Sequence, residues 1–187
     1  MNIDTLIASI EAAKLTNNYT QAREIALEWL KDHTDDYRLY EELADIHLFE
    51  GNLDKADEVL AIARELHPES WTGMYLDWYI ATAKGEFDRA IETLSKANLD
   101  MPNNAEILRN LGWAYVMTMD QEEPSKNISK GISLLRRAHI LAPDEPMIIN
   151  DLSVALIAAG KEEEAKEILA KLGQSDLVDV IKSTPLS

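Results

Sequence analysis

The sequence repeats itself at a spacing of 34 residues in several residue types at once. The matched pairs are Gly51 and Gly85, Ala56 and Ala90, Ala63 and Ala97, and Pro68 and Pro102. A shared period of this length is typical of one supersecondary unit that is copied along a stack. The chain is therefore expected to fold as an array of similar units.

A later copy of the unit arrives after a longer interval. Leu94, Ala97 and Pro102 are followed by Leu135, Ala138 and Pro143, each 41 residues further on. The spacing from Met74 to Leu108 is still 34, so the seven extra residues lie between Tyr115 and Gly131. Residues 117–130 contain Pro124 and a polar cluster, which predicts an extended loop between two helices, with Ile128 prolonging the second helix. The sequence does not decide whether this segment is functional or only a tolerated excursion.

The residue types within a unit predict two antiparallel helices. Small residues such as Ala44 and Ala56 allow the helices to approach closely, and Leu43 and Leu60 fill the seam between them. The apolar residues left over can be buried only against the next pair of helices, so the pairs must stack. Gly51, Gly85 and Gly160 predict helix stops, because the residue that follows a helix often takes the left-handed conformation, which favours glycine.

These positions resemble the signature of the tetratricopeptide repeat, which has Leu, Gly or Ala and Tyr on the first helix, Ala and Leu on the second, and a closing Pro. The second unit matches it with Tyr40, Leu43, Ala44, His47, Gly51, Ala56, Leu60, Ala63 and Pro68. The resemblance implies an all-α, right-handed superhelical α-solenoid of about five helical hairpins in a single domain, 1–187. Its units would be 3–36, 37–70, 71–104, 105–145 with the insertion, and 146–179. A short capping helix is expected over 175–182, where Leu177, Val178 and Ile181 would shield the last apolar face.

Two units depart from the signature. The first unit has Asn17 and Asn18 where glycine is expected at the turn, and the third has Asp77 and Trp78 in place of the Leu-then-small pair. One hypothesis places Trp78 in the helix seam opposite Ala81 and leaves Asp77 partly exposed. The alternative is ordinary repacking of the core around the larger residue.

Composition limits the classes of partner. The chain has 34 acidic and 18 basic residues, a net charge of −16, and no cysteine. Such a surface repels phosphate, which argues against nucleic acid and anionic lipid as partners, and the lack of cysteine excludes disulfides and thiolate metal sites. The acidic residues concentrate in the first 70 residues, where a basic partner segment would be attracted. The alternative interpretation is that acidity only keeps the protein soluble. The N-terminal segment does not read as a secretory signal, so we expect a cytoplasmic protein.

Motifs that would support catalysis are missing from the sequence. It has no Gly-x-Ser-x-Gly elbow, no phosphate-binding glycine loop and no His-Glu-x-x-His pair. The four histidines fall in separate units, and His47 occupies a packing position of its repeat. We therefore expect no enzyme activity, no catalytic residue, no metal site and no cofactor.

The resemblance also assigns a candidate binding surface. In tetratricopeptide proteins the first helices of successive units line a concave groove, into which the second, fifth, ninth and twelfth to thirteenth residues point. By this register the partner-binding candidates are Glu41, Asp45, Phe49, Tyr75, Tyr79, Arg109, Trp113, Met117, Asn150 and Val154. The implied groove has an acidic entrance in the first units, an aromatic middle and polar anchors at Arg109 and Asn150. The aromatic residues have the composition of a binding hot spot, although the chain itself or a second copy could cover them instead.

These expectations together favour a non-enzymatic module that binds a partner protein segment, as a scaffold, an adaptor or an assembly chaperone. The partner would be basic at one end and apolar at the other, and self-association is a further option. Some tetratricopeptide co-chaperones bind carboxylate tails with Lys or Arg and Asn, but Glu41, Asp45, Tyr75 and Tyr79 take those places here and disfavour that function. The alternative is a chaperone like those of type III secretion, and an enzyme is the third interpretation.

Overall fold

The described part of the chain consists of paired α-helices. The computed structural model describes residues 2–118, 124–170 and Gly173. Its ten helices are α1 (Ile3–Leu15), α2 (Tyr19–Leu30), α3 (Tyr37–Phe49), α4 (Leu53–Leu66), α5 (Trp71–Ala83), α6 (Phe87–Asp100), α7 (Ala105–Met117), α8 (Pro124–Leu141), α9 (Pro146–Ala158) and α10 (Glu162–Ala170). Each repeat unit therefore supplies two helices, and the all-α prediction is confirmed. The predicted cap, 175–182, lies outside the described residues.

The helices form two compact units, residues 1–86 and 87–187, so that the boundary falls inside the third repeat, between α5 and α6. Within unit 1 each helix packs against the next one along the chain, and α3 also contacts α1 and α5. Within unit 2 the same succession runs from α6 to α10, and α7 also contacts α9. The first helices of successive hairpins therefore lie side by side within each unit, as a stacked repeat requires.

The core of each unit is built from the apolar positions that the repeat aligns. In unit 1, Leu6, Ile10 and Ala22 pack with Leu39 between the first and second hairpins. Leu60 of α4 is fully buried in a second cluster, which also contains Leu76 and Ile80 of α5. In unit 2 the corresponding clusters contain Leu108, Ala138 and Ile148, and Leu135, Leu152 and Leu169. None of the described helices is long and apolar enough to cross a membrane.

The turns between helices use the left-handed residues that the sequence predicts. Gly51, Gly85 and Gly160 have φ values of 75°, 74° and 73°. In the first repeat Asn17 takes the same conformation, with φ at 57°. Asparagine tolerates this region better than most residues, so the first hairpin keeps the turn without the glycine.

The insertion lengthens a helix more than a loop, so the prediction of an extended loop over 117–130 is wrong for residues 124–130. Helix α8 has 18 residues against 14 in α4 and in α6. Six residues rather than three connect the two helices of this hairpin. Proline at the first helical position explains why Pro124 begins α8 rather than interrupting it, because the missing N–H has no partner there in any helix.

Helices α7 and α8 approach each other at a pair of glycines. A Cβ atom on Gly131 would lie 2.6 Å from the carbonyl oxygen of Gly112, and a Cβ on Gly112 would lie 2.9 Å from the carbonyl oxygen of Gly131. Backbone therefore meets backbone at this crossing. By its register Gly112 takes the place of Ala44 in the second unit, and the structure shows Gly131 opposite it.

Candidate protein-interaction surface

A cavity of about 270 Å³ opens on the first helices α3 and α5 of unit 1. Its lining residues are Asp45, Leu48, Phe49, Tyr75, Leu76 and Tyr79. Phe49 is 60% exposed, and Tyr75 and Tyr79 are 47% and 48% exposed, so the three rings are open to solvent. The repeat register therefore brings four of its candidates, Asp45, Phe49, Tyr75 and Tyr79, around one cavity. We call this the aromatic cavity.

The rings of the aromatic cavity are supported by other aromatic residues. The ring of Tyr19 stacks on Phe49 with 5.4 Å between centroids. Trp78 lies 5.4 Å from Tyr75 and 6.3 Å from Tyr79, tilted against the first ring and edge-on to the second. These are favourable aromatic geometries. Trp78 is half-buried and supports the two tyrosines.

A lysine that the sequence analysis missed lies next to the aromatic cavity. The Nζ atom of Lys14 is 2.6 Å from Asp45, 2.9 Å from Glu42 and 2.8 Å from Glu11. Burial alone would lower the pKa of Lys14, but its hydrogen bonds to the three carboxylates raise it above the ordinary value. The predicted acidic entrance is therefore a cluster of three carboxylates around one ammonium group. Lys14 is the twelfth residue of its repeat, so the register itself could have indicated it.

Glu41 is not part of an open surface, and the expectation that it faces a partner is wrong. It is only 5% exposed, and its carboxylate lies at the N-terminus of α5, where a Cβ on Gly73 would come within 2.8 Å of Oε1. Burial raises the pKa of Glu41, while the neighbouring Ser70 hydroxyl and Gly73 amide lower it in part. The positive end of the helix and the missing side chain at Gly73 explain why a carboxylate is accommodated here.

Asp77 is also buried, in contrast to the hypothesis of partial exposure. It is 4% exposed and forms an ion pair with Arg64 of α4. A buried carboxylate requires such a partner because its desolvation is costly. The unusual Asp77–Trp78 pair thus has two roles in unit 1, since the aspartate joins α5 to α4 and the tryptophan supports the aromatic cavity.

In unit 2, Arg109 is engaged with a buried acid. Its Nε atom donates a hydrogen bond of 2.6 Å to Asp151 on α9. Burial raises the pKa of Asp151, and the guanidinium of Arg109 opposes that rise. Asn150, which precedes Asp151 in the sequence, is exposed. Arg109 therefore connects two first helices, which limits its use as an anchor for a partner.

The remaining candidates of unit 2 are partly covered by the unit itself. Trp113 is half-buried and packs against the cluster that contains Val116, Ile132 and Leu156, so the chain itself covers part of this candidate. Met117 and Val154 are half-buried as well. The repeat register predicts which face of the helix a residue lies on, but a large ring on the groove face can still pack against the hydrophobic core.

Two further observations concern other kinds of site. Among the described residues, no group of three or more His, Asp or Glu side chains could hold a metal ion. A second concavity, of about 810 Å³, lies along α2, where Ile25, Leu27 and Trp29 alternate with charged residues.

Comparison with solved structures identifies the fold. MamA from Desulfovibrio magneticus superimposes with a TM-score of 0.79 and 16% identity, over 97% of each chain. A tetratricopeptide repeat protein from Parabacteroides merdae gives 0.78 and 14%, over 96% of this chain and 70% of its own. PilF from Pseudomonas aeruginosa gives 0.75 and 16%, over 92% and 75%. No protein-family model matches the sequence, and no curated protein matches it significantly.

At these identities the likeness shows the fold, which belongs to the class of all-α proteins built from repeated helical hairpins. Within that class, the hairpins of this chain have the tetratricopeptide-repeat fold, as the spacing of 34 indicates.

Proposed function

We propose that the protein is a non-enzymatic scaffold, adaptor or assembly chaperone of the cytoplasm that holds a segment of a partner protein against the first helices of its hairpins. The observation that carries the proposal is the aromatic cavity, where Phe49, Tyr75 and Tyr79 stand open to solvent around one concavity. Contiguous exposed apolar surface on a protein of this size usually marks an interaction site. Aromatic residues are also enriched among the residues that dominate binding energy.

The charge of the chain supports a partner segment that is basic at one end. Unit 1 has 18 acidic against 7 basic residues, and unit 2 has 16 against 11. Opposite charge accelerates association and aligns a partner, while the apolar contacts supply most of the affinity. In unit 2, Asn150, Met117 and Val154 would form a contact surface of their own with polar and apolar parts. The alternative of a type III secretion-like chaperone gains no support from the compared structures.

The proposal is tested by capturing partners from an extract of the native host on immobilised protein, followed by mass spectrometry. The double variant Tyr75→Ala/Tyr79→Ala should lose the captured partner, by about tenfold or more if either ring is a hot spot. Leu15→Ala is the matched control, because Leu15 is 83% exposed on a first helix but does not line the cavity. Its capture should equal that of the wild type.

Stability and self-association are measured alongside. Leu15→Ala should keep the wild-type free energy of unfolding within about 0.5 kcal/mol, because an exposed position leaves no cavity. Tyr75→Ala/Tyr79→Ala should remain folded but lose about 1–2 kcal/mol, because it removes the ring contacts with Trp78. Light scattering reports whether copies of the chain associate with one another in place of an external partner. A partner retained equally by both variants would show that the aromatic cavity is not the binding surface.

A further inference from the structure

The composition of the aromatic cavity is unusual for a purely apolar pocket. Three aromatic rings, Phe49, Tyr75 and Tyr79, share its wall with one carboxylate, Asp45. The faces of aromatic rings carry partial negative charge and attract cations, and ammonium-binding cages in proteins are built from such rings. A nearby carboxylate adds a formal negative charge to that attraction.

We propose that the aromatic cavity binds the alkylammonium group of a lysine side chain in the partner segment. This inference rests on the proposed function, because it names the group of that partner that enters the cavity. The lysine stem contacts Leu48 and Leu76, the rings surround the ammonium group, and Asp45 accepts its hydrogen bond. Long basic side chains commonly bury their methylene groups in this way while the charged end meets polar atoms.

The charge balance next to the cavity leaves room for one more cation. Lys14 contacts Asp45 through Oδ2, and it shares three carboxylates, those of Glu11, Glu42 and Asp45. One ammonium against three carboxylates leaves two negative charges uncompensated within the cluster. A carboxylate has about four acceptor positions on its two oxygens, so Asp45 can accept from a second donor. A neutral apolar side chain would instead desolvate this carboxylate without replacing its contacts with water.

Size and rigidity also suit a single side chain. Sites for whole small molecules usually measure about 300–1,000 Å³, and this cavity, at about 270 Å³, lies just below that range. Tyr19 holds the ring of Phe49, and Trp78 holds those of Tyr75 and Tyr79. Rings that are already placed lose little conformational entropy on binding, which favours affinity.

The test compares three acetylated and amidated peptides at matched ionic strength: Gly-Leu-Lys-Leu-Gly, the same peptide with trimethyl-lysine, and the same peptide with norleucine. Norleucine keeps the aliphatic stem and removes the charge. Binding is followed by NMR through the indole N–H of Trp78. Either charged peptide should bind about tenfold more tightly than the norleucine peptide, because the rings and the charge of Asp45 attract both cations. Only the unmodified lysine can also donate a hydrogen bond to Asp45, since trimethyl-lysine has no N–H. Tighter binding of the lysine peptide would indicate an unmodified lysine in the partner segment, and tighter binding of the trimethyl-lysine peptide would indicate a methylated one.

One matched pair of variants and one single variant locate the effect. Asp45→Asn and Glu11→Gln each remove one charge from the Lys14 cluster, but only Asp45 lines the cavity. Asp45→Asn should weaken the charged peptide about threefold to tenfold, and Glu11→Gln less than twofold. Phe49→Leu keeps apolar surface without the ring, so it should weaken the charged peptide and leave the norleucine peptide unchanged.

The outcomes separate this inference from the proposed function. Equal binding of the charged and norleucine peptides, or no binding of any of them, would overturn the alkylammonium assignment. The proposed function is decided separately by partner capture with Tyr75→Ala/Tyr79→Ala. Equal weakening by Asp45→Asn and Glu11→Gln would also overturn the assignment, because it would reveal only a general attraction of cations to an acidic surface.

Discussion

The replacement Lys14→Met should destabilise unit 1 through the loss of one ammonium group. The side chain of Lys14 is 10% exposed, and its carboxylate partners Glu42 and Asp45 are 14% and 27% exposed. Methionine retains the apolar stem and fills a similar space, so the change removes charge rather than volume. Glu42 and Asp45 would then lie close together without a cation.

The expected loss is about 2–4 kcal/mol in the free energy of unfolding. Removing one partner of a fully buried ion pair costs about 3–5 kcal/mol, because the remaining charge is left desolvated. Partial exposure of the two carboxylates lowers that figure. The contact with Glu11 adds little, because its side chain is 49% exposed and surface pairs contribute about 0–1 kcal/mol.

The loss should depend on pH in a definite direction. Burial already raises the pKa of Glu42, and Lys14 opposes that rise. Without Lys14 the pKa of Glu42 in the folded state rises further above its value in the unfolded chain, so the folded variant takes up a proton more readily. Stability of the variant relative to the wild type should therefore recover as the pH falls from about 7 towards about 4.

Urea unfolding followed by circular dichroism measures these differences, with Lys31→Met as the control. Lys31 pairs with Glu28, but the two side chains are 65% and 74% exposed, so this variant should lose less than about 0.5 kcal/mol. The double variant Lys14→Met/Glu42→Gln should recover part of the loss, since the repulsion is relieved. A cost for Lys14→Met no larger than that of Lys31→Met, or one that stays constant with pH, would refute the reasoning.

Two further predictions concern positions within single units. Gly131→Ala should lower the free energy of unfolding by about 1–3 kcal/mol, because the added methyl group would meet the backbone of α7. Gly73→Ala should cost less, because the Glu41 carboxylate that the methyl group would meet can move. Urea unfolding midpoints compare the two variants. Burial raises the pKa of Glu41, so its contribution to stability falls as the pH rises through that raised value. Glu41→Gln should remove this decline, because glutamine does not titrate. If the urea midpoint of the variant falls with pH as that of the wild type does between about pH 4 and about pH 7, Glu41 is not the cause of the decline.

Most of the hairpin architecture could be predicted from the sequence because the repeat records it at many positions. The spacing of 34 placed Ala56, Leu60 and Ala63 on one buried face, and all three are buried in α4. The turn glycines were predicted from the conformation they must adopt, which only a few residue types tolerate. The extra residues before Gly131 were expected to form a loop, but residues 124–130 belong to α8, because helix there depends on packing that the repeat spacing does not record.

The candidate surface was predicted only in part, because register gives the direction of a side chain and not its partner. It brought Asp45, Phe49, Tyr75 and Tyr79 to one cavity, but it placed Glu41 there as well, although Gly73 allows that carboxylate to be buried at the start of α5.

The sequence by itself thus determined the fold, since the period, the small residues and the turn residues all act locally or between neighbouring helices. Only the tertiary structure decided which charges are neutralised and which rings stay exposed. Lys14 meets Glu42 and Asp45 from another helix, and Arg109 meets Asp151 across 42 positions of sequence. Such contacts follow from the packing of whole helices, and their energies depend on burial and distance in three dimensions, which a one-dimensional pattern does not contain.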